Sequence, residues 1–235
     1  MQHQLDIIGY VKSPYSQKFA APRQPGLVTA ATSQIILNEA YSHPDCVRGL
    51  KEFSHIWVLF LFHETLAGGW KPLVRPPRLG GNERKGVFAT RSTFRPNAIG
   101  MSAVQLTDVT HQDGRNRIEV VGADWVDGTP IIDIKPYLAY ADSYPDAISS
   151  FAQDKPEAGL TTHFSPGAQQ QLARLQQEYP NLATLIAQVL QQDPRPAYKQ
   201  NNEQDKIYGM SLYDLNIRWQ VINSENHVIS ISKDF

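Results

Sequence analysis

IGMSAVQLTDVTHQDGRNRIEVVGA, residues 99–123, reads as a β-hairpin. Ile99 to Val109 forms the outgoing strand, Gln112-Asp113-Gly114 the turn, and Arg117 to Ala123 the return. Asp-Gly between two apolar runs is a strong antiparallel signal, because both residues tolerate the positive φ of a tight turn. The same pattern extends outward. Upstream, SHIWVLFLF (54–62) is the strongest strand, apolar on both parities and so expected to be covered on both sides. Leu5 to Val11 and LVTAATSQIIL (27–37) read as two more strands, and Val87-Phe88-Ala89 as a short buried one. Cys46 to Phe53 has room for two short helical turns. Downstream, the turn Asp127-Gly128-Thr129-Pro130 leads into a last strand, Ile131 to Lys135. No long amphipathic helix interrupts this series, so about seven strands joined by Gly/Pro turns argue for a mainly β fold, an antiparallel barrel or sandwich.

Past residue 140 the character changes. Asp142 to Gly159 is polar and irregular. Ser165-Pro166 is a helix start of cap plus first-turn proline, leading into Gly167 to Glu178. Asn181 is positioned to cap a second helix with Leu182, Leu185, Ile186, Val189 and Leu190 on one face, ended by Asp193-Pro194. A strand pair follows, with Ile217, Trp219 and Val221 alternating, a turn at 223–226 and a return over Val228 to Ile231. The division expected is 1–145 as a mainly β domain, 146–164 as linker and 165–235 as a small α+β domain.

Composition is that of an ordinary globular protein: 41% hydrophobic, 19% charged, net charge −1. The single cysteine, Cys46, excludes internal disulfides and paired-cysteine zinc sites and points to a reducing cytoplasm. MQHQLDIIGY has no basic flank before an apolar stretch, so no secretory signal is expected, and Ile56 to Phe62 is too short to span a bilayer. Charge is uneven. Lys71 to Arg95 holds seven basic residues (Lys71, Arg75, Arg78, Arg84, Lys85, Arg91, Arg95) against one acid, Glu83. Within it, Thr65 to Lys85 reads as a long Gly/Pro-rich loop without secondary structure, the kind that often serves function. A basic patch on a near-neutral protein can hold a phosphate backbone locally.

Several familiar sites are missing. There is no G-x-G-x-x-G, Walker loop, H-E-x-x-H or G-x-S-x-G, and the seven histidines lack metal-ligand spacing, so no metal site is expected. What remains is a set of polar groups at strand ends: Arg23 and Gln24, His63 and Glu64, Arg91 and Arg95, and Asp133, Lys135 and Tyr137. Singly, each also suits a solvated edge. A barrel, however, gathers separate strand ends at one rim. The proline after Arg95 restricts that residue to extended geometry, and paired guanidiniums suit a carboxylate or phosphate ligand.

APRQPG (21–26), RGLKEFSHIWVLFLFHE (48–64), RPPRLGG (75–81), GVFATRSTFRPNAIGMS (86–102) and DGTPIIDIKPY (127–137) closely resemble the TsaA-like family. YDLNIRWQV (213–221) resembles the small domain appended in its bacterial members. Thr93 and Ala98 stand where family members often carry proline, and Met101 where leucine is usual. The resemblance implies an antiparallel barrel that binds S-adenosyl-L-methionine without a Rossmann domain, a homodimer with the cofactor near the subunit interface, and N6-methylation of threonylcarbamoyl-adenosine at position 37 of tRNA, beside the anticodon. It implies cofactor contacts at Pro22, Arg23, Gln24, His63, Glu64, Arg91, Met101, Ile131, Ile132, Asp133 and Ile134. The chemistry suits these residues: Arg91 for the cofactor carboxylate, Gln24 and the 131–134 backbone for polar edges, Met101 for the adenine, Glu64 for an amine or ribose hydroxyl.

An adenine exocyclic amine is a poor nucleophile, so a carboxylate that accepts its hydrogen bond and then its proton would help; Asp133 is the candidate. Lys135 would take the threonine carboxylate or a phosphate, and Tyr137 would stack on or orient the base. Arg75, Arg78, Arg84, Lys85, Arg95, Asn97 and Arg218 are the candidate contacts to the anticodon loop. Two other readings stay open from sequence: a non-catalytic tRNA-binding module, and a small-molecule methyltransferase on the same barrel.

Overall fold

The computed structural model describes residues 4–80, 83–156, 159–195 and 206–233. Contacts divide the chain into two units: Met1–Lys12, Gln34–Val120 and Gly128–Pro156 form one, and Ser13–Ser33, Val121–Asp127 and Glu157–Phe235 the other. The strands in chain order are β1 (Gly9–Lys12), β2 (Thr32–Leu37), β3 (His55–Leu61), β4 (Leu73–Val74), β5 (Lys85–Gly86), β6 (Ile99–Gln112), β7 (Arg115–Val121) and β8 (Pro130–Pro136). A one-turn helix, α1 (Ala139–Asp142), follows.

β1, β2, β7, β6, β3 and β8, in that order, close into a barrel. The β6–β7 turn puts Asp113 at φ 53° and Gly114 at φ 71°, the paired left-handed geometry that favours an Asp-Gly sequence. Closure comes from β8 pairing with β1, Ile131 opposite Gly9 and Pro130 opposite Tyr10. Ile35, Ile56, Val58, Ile118, Val120 and Ile131 fill the interior without exposed surface. Gly100 is required there, since a Cβ would meet the Phe60 ring at 2.4 Å.

Several local expectations change. β3 is not buried on both sides: Ile56, Val58 and Phe60 point inward, while His55 is exposed and Trp57, Leu59 and Leu61 are half-buried. A closed barrel has one interior, so the second apolar parity of β3 lies on the outer wall. Val87–Ala89 is a 3-10 turn rather than a buried strand; Val87 is buried but Phe88 is 78% exposed. The basic 65–85 stretch has structure of its own, with 3-10 turns at His63–Gly68 and Pro77–Leu79 and the small ribbon β4–β5. β2 begins only at Thr32, because Val28 and Ala31 belong to the other unit's core.

The second unit contains β9 (Thr161–Phe164), α2 (Pro166–Leu175), α3 (Leu182–Gln191), β10 (Tyr208–Leu212), β11 (Leu215–Ile222) and β12 (Glu225–Lys233). Its sheet runs β10-β11-β12-β9, with β9 parallel to β12. β9 lies within the stretch read as linker from sequence. The Ser165 hydroxyl accepts from the Ala168 N–H at 3.2 Å, capping α2 as expected, whereas the Asn181 side chain makes no capping bond. Leu182, Leu185, Ile186, Val189 and Leu190 of α3 are buried in a core that also takes in Tyr15, Ala20, Val28 and Ala31. Tyr15 forms an isolated antiparallel bridge to Leu212, so residues 13–33 pack by contact with the C-terminal elements.

At this unit's surface the Lys233 ammonium is 2.7 Å from Glu178 and 3.7 Å from Asp214, and the Tyr179 hydroxyl donates to Asp214. The Lys233 hydrogen bond holds the Glu178 carboxyl below its ordinary range, and the Tyr179 hydroxyl does the same for Asp214. Depressed folded-state values mean that this stabilisation is complete above the unfolded carboxylate range, about pH 4, and is lost as pH falls through the lowered values. Thermal melting is therefore expected to show no pH dependence from this cluster between pH 5 and 8, where its stabilisation is fully present, and Lys233→Ala to blunt the decline in melting temperature on acidification below pH 4.

Candidate active site

Three strands of the barrel, β6, β3 and β8, place the expected residues on one outer wall. Leu59 is opposite Met101 on one side and Asp133 on the other. Two residues along, Trp57 is opposite Ala103 and Lys135. Because side chains alternate along a strand, Met101, Leu59 and Asp133 form one outward row and Ala103, Trp57 and Lys135 the next. Met101 is 56% exposed. The Lys135 ammonium lies 3.6 Å from the Asp133 carboxylate, and Asp133 Oδ1 accepts the Ile134 N–H at 2.9 Å.

A register shift between Leu59 and Phe60 makes this possible. Phe60 pairs with Ile131 and Leu59 with Asp133, so Ile132 is the extra residue of a β-bulge. The bulge reverses the parity of β8, turning Asp133 outward although Ile131 is fully buried. The Ile131 side chain is thus part of the core, and its carbonyl already accepts from the Ile8 N–H at 2.9 Å. β8 pairs with β1 only at 130–131 and with β3 over 131–136, so residues 132–136 present a backbone edge outside the β1 ladder.

Where β3 ends, two segments are tied together. The Phe62 N–H donates to the Ala98 carbonyl at 2.8 Å, and the Lys71 N–H to the Phe94 carbonyl at 3.2 Å. Half-buried His63 and exposed Glu64 stand in the 3-10 turn of the first segment, and exposed Arg91 in the second. Arg95-Pro96-Asn97-Ala98 is a turn closed by Ala98 N–H donating to the Arg95 carbonyl at 3.1 Å, with Asn97 exposed and Ala98 at φ 49°. The structure therefore places His63 and Glu64 just past the end of β3, which pairs with Met101 and the 131–134 strand, while Arg91 stands in the segment tied to that end through Phe94 and Ala98. Pro22, Arg23 and Gln24 lie in the second contact unit, with Pro22 buried and Arg23 exposed.

The basic residues sort by what they touch. Arg95 donates to the Thr90 carbonyl at 2.7 Å and more weakly to Val87, with its guanidinium over the Phe88 ring at 6.0 Å. It shapes the 87–98 segment, and Arg95→Ala is expected to cost about 1.5–3 kcal/mol locally, the worth of charged hydrogen bonds, read as faster amide exchange over 87–98. Arg78 donates to the Asp154 carbonyl, and Lys85 is ion-paired with Glu83 at 2.6 Å. Arg75 and Arg84 are exposed, as is Arg218 on β11 of the second unit. Among the described residues, no group of three or more His, Cys, Asp or Glu is placed to hold a metal, and no helix is long and apolar enough to cross a membrane. A shallow hollow of about 310 Å³ lined by Lys51, His111 and Asn116 includes none of these site residues.

Sequence reasoning missed Trp57 and Asp142. The Trp57 indole N–H donates to Asp142 Oδ2 at 2.9 Å, across 85 positions of the chain. The outward parity of Trp57 within β3 was the one available signal, and nothing in the 138–148 stretch marks Asp142.

Comparison with known proteins bears on what this wall does. A family model described as the tRNA-methyltransferase O N-terminal domain matches residues 10–143, and the TrmO C-terminal domain model matches 157–234. The chain belongs to the TrmO family. It is 50% identical over 228 residues, 97% of both chains, to an Escherichia coli protein named tRNA (adenine(37)-N6)-methyltransferase. It is 44% identical over 223 residues, 93% of both chains, to a Pseudomonas aeruginosa protein named as a putative S-adenosylmethionine-dependent methyltransferase, RcsF. The crystal structure of TrmO from Pseudomonas aeruginosa superposes with a TM-score of 0.82 at 37% identity, covering 99% of each chain. The barrel expected from sequence is thus the TrmO barrel, built without a glycine-rich dinucleotide loop.

Proposed function

We propose that this TrmO-family chain is an S-adenosylmethionine-dependent methyltransferase acting on N6 of adenosine 37 in tRNA, with the threonylcarbamoyl form as its substrate. The observation that carries the reading is the outward row Met101–Leu59–Asp133, a half-exposed apolar strip beside a carboxylate, in a chain of this family. The residues suit the cofactor: Met101 and Leu59 offer apolar surface to an adenine, Arg91 a cation to a carboxylate, Glu64 an acceptor to hydroxyls, and the open β8 edge donors and acceptors. His63 stands beside Glu64, and Pro22, Arg23 and Gln24 are the further cofactor contacts that the resemblance implies. When bound, S-adenosylmethionine supplies an electrophilic methyl carbon on a sulfonium.

The chain's own residues then divide the work. Asp133 accepts a hydrogen bond from the adenine N6–H, raises electron density on that nitrogen, and receives the proton released once the N–C bond has formed. Lys135 pairs with the substrate carboxylate or a phosphate, and Tyr137 orients the base. Much of the rate comes from alignment of the amine with the methyl carbon. Arg75, Arg84, Asn97 and Arg218 are read as contacts to the anticodon loop, with Arg78, Lys85 and Arg95 contributing through the loops they hold. The reading extends to a homodimer in the cytoplasm, supported by the exposed apolar side chains of Met101 and Phe88 and by the lone thiol of Cys46.

The test is mass spectrometry of nucleosides from tRNA incubated with the purified protein and S-adenosylmethionine, comparing tRNA that carries the threonylcarbamoyl group with tRNA that lacks it. A product heavier by one methyl on the modified adenosine alone is expected. Methylation of neither tRNA overturns the reading, and methylation of both overturns its finer half. Light scattering at twice the chain mass tests the dimer.

A further inference from the structure

Asp142 closes α1 and is half-buried. One of its oxygens, Oδ2, accepts two hydrogen bonds, from the Trp57 indole at 2.9 Å and from the Leu138 backbone N–H at 2.8 Å. Those donors bracket Tyr137. The Tyr137 ring lies 5.6 Å from the Trp57 ring at 43°, and 6.2 Å from His55 at 57°, while its N–H donates to the His55 carbonyl at 3.1 Å. One carboxylate oxygen therefore locks both the indole that supports Tyr137 and the main chain that follows it. The resulting aromatic ledge sits one pleat repeat, about 7 Å, along the wall from the Met101–Leu59–Asp133 row. Lys135, opposite Trp57, puts an exposed ammonium at its edge.

Neighbouring aromatic rings beside a cation suit an unpaired nucleobase and its phosphate better than they suit a protein chain. We propose that Trp57 and Tyr137 form a stacking ledge for an unpaired base of the RNA loop that carries the target adenosine, and that Asp142 is the positioning residue that holds this ledge. The proposal rests on the tRNA reading above. Both donors converge on a single oxygen, so asparagine, with its one carbonyl oxygen, can keep both bonds, and alanine loses both.

The experiment compares the full-length wild-type protein with Asp142→Ala, Asp142→Asn and Trp57→Phe. Anisotropy of a labelled anticodon stem-loop, without cofactor, is expected to show about tenfold or greater weakening for Asp142→Ala and near wild-type affinity for Asp142→Asn. In turnover, Asp142→Ala raises KM for tRNA by a similar factor and Asp142→Asn restores it, while calorimetry gives unchanged S-adenosylmethionine affinity in both. Wild-type RNA affinity in Asp142→Ala, or equal impairment of the alanine and asparagine variants, overturns the proposal. Should Asp142→Ala fold poorly, tryptophan emission decides: RNA quenches it in the wild type and less so in Trp57→Phe, and identical quenching in both overturns the ledge. A wild-type protein that binds the stem-loop but methylates nothing defeats the catalytic reading and leaves the ledge supported; one that binds no RNA defeats both.

Discussion

Asp133→Ala is expected to reduce methyl transfer to tRNA by about 10²- to 10⁴-fold, the range lost when a positioned general base is removed. Cofactor affinity should survive, because what Asp133 offers a cofactor is main chain on the β8 edge, which the substitution leaves in place. The carboxylate is exposed on the outer wall, with Lys135 at 3.6 Å, so no buried charge is left uncompensated and the fold should tolerate the change. Asp133→Asn is the sharper comparison. Its amide oxygen can still accept from the Ile134 N–H, as Oδ1 does now at 2.9 Å, but it has little basicity. Single-turnover methylation with calorimetry of cofactor binding checks both variants. Wild-type turnover in Asp133→Ala would remove Asp133 from the mechanism. Full turnover in the asparagine variant alone would reduce its part to orienting the amine.

The largest stability effect is expected two residues upstream. Ile131 is fully buried, and it closes the barrel by pairing with β1 through Gly9 and with β3 through Phe60. Ile131→Ala removes three carbons from a packed interior whose backbone is pinned on both sides and cannot collapse into the space. The expected cost is about 2–5 kcal/mol, or roughly 4–20 °C in melting temperature for a chain of this size. At a temperature where the variant is folded, methylation should be near normal, since the side chain points away from the site. Residues two positions apart on one strand thus have opposite phenotypes, stability at 131 and chemistry at 133. A scan by differential calorimetry and activity checks this, and a selective loss of cofactor affinity in Ile131→Ala would contradict the division.

Much of the local structure was legible in the residues themselves. The Asp-Gly turn, the Arg95-Pro96 turn, the Ser165-Pro166 helix start and the Trp219 alternation depend on interactions within a few residues, and these appear where local chemistry puts them. The ordered motif blocks likewise pointed to the family whose models match residues 10–143 and 157–234. What local reading misjudged has a common cause. An apolar run on both parities of β3 was read as two-sided burial, when the outward half lies on the barrel's outer wall. Val87-Phe88-Ala89 has strand composition, but the Thr90 N–H donates back to the Val87 carbonyl at 3.2 Å and the segment turns.

By itself, the sequence determined a mainly β first part and an α+β second part, the identity of the family, and the residue types available for methyl transfer. Those properties follow from periodicity, turn chemistry and motif order, all carried along the chain. Only the tertiary structure decided the strand order of the barrel and its closure through β8 and β1, and that residues 13–33 pack with the C-terminal elements. It alone decided that a bulge at Ile132 turns Asp133 outward beside Leu59 and Met101, and that Asp142 reaches back to Trp57. Each of these joins residues tens of positions apart or shifts a register by one. The free energy that settles them comes from contacts that exist only once the barrel has closed.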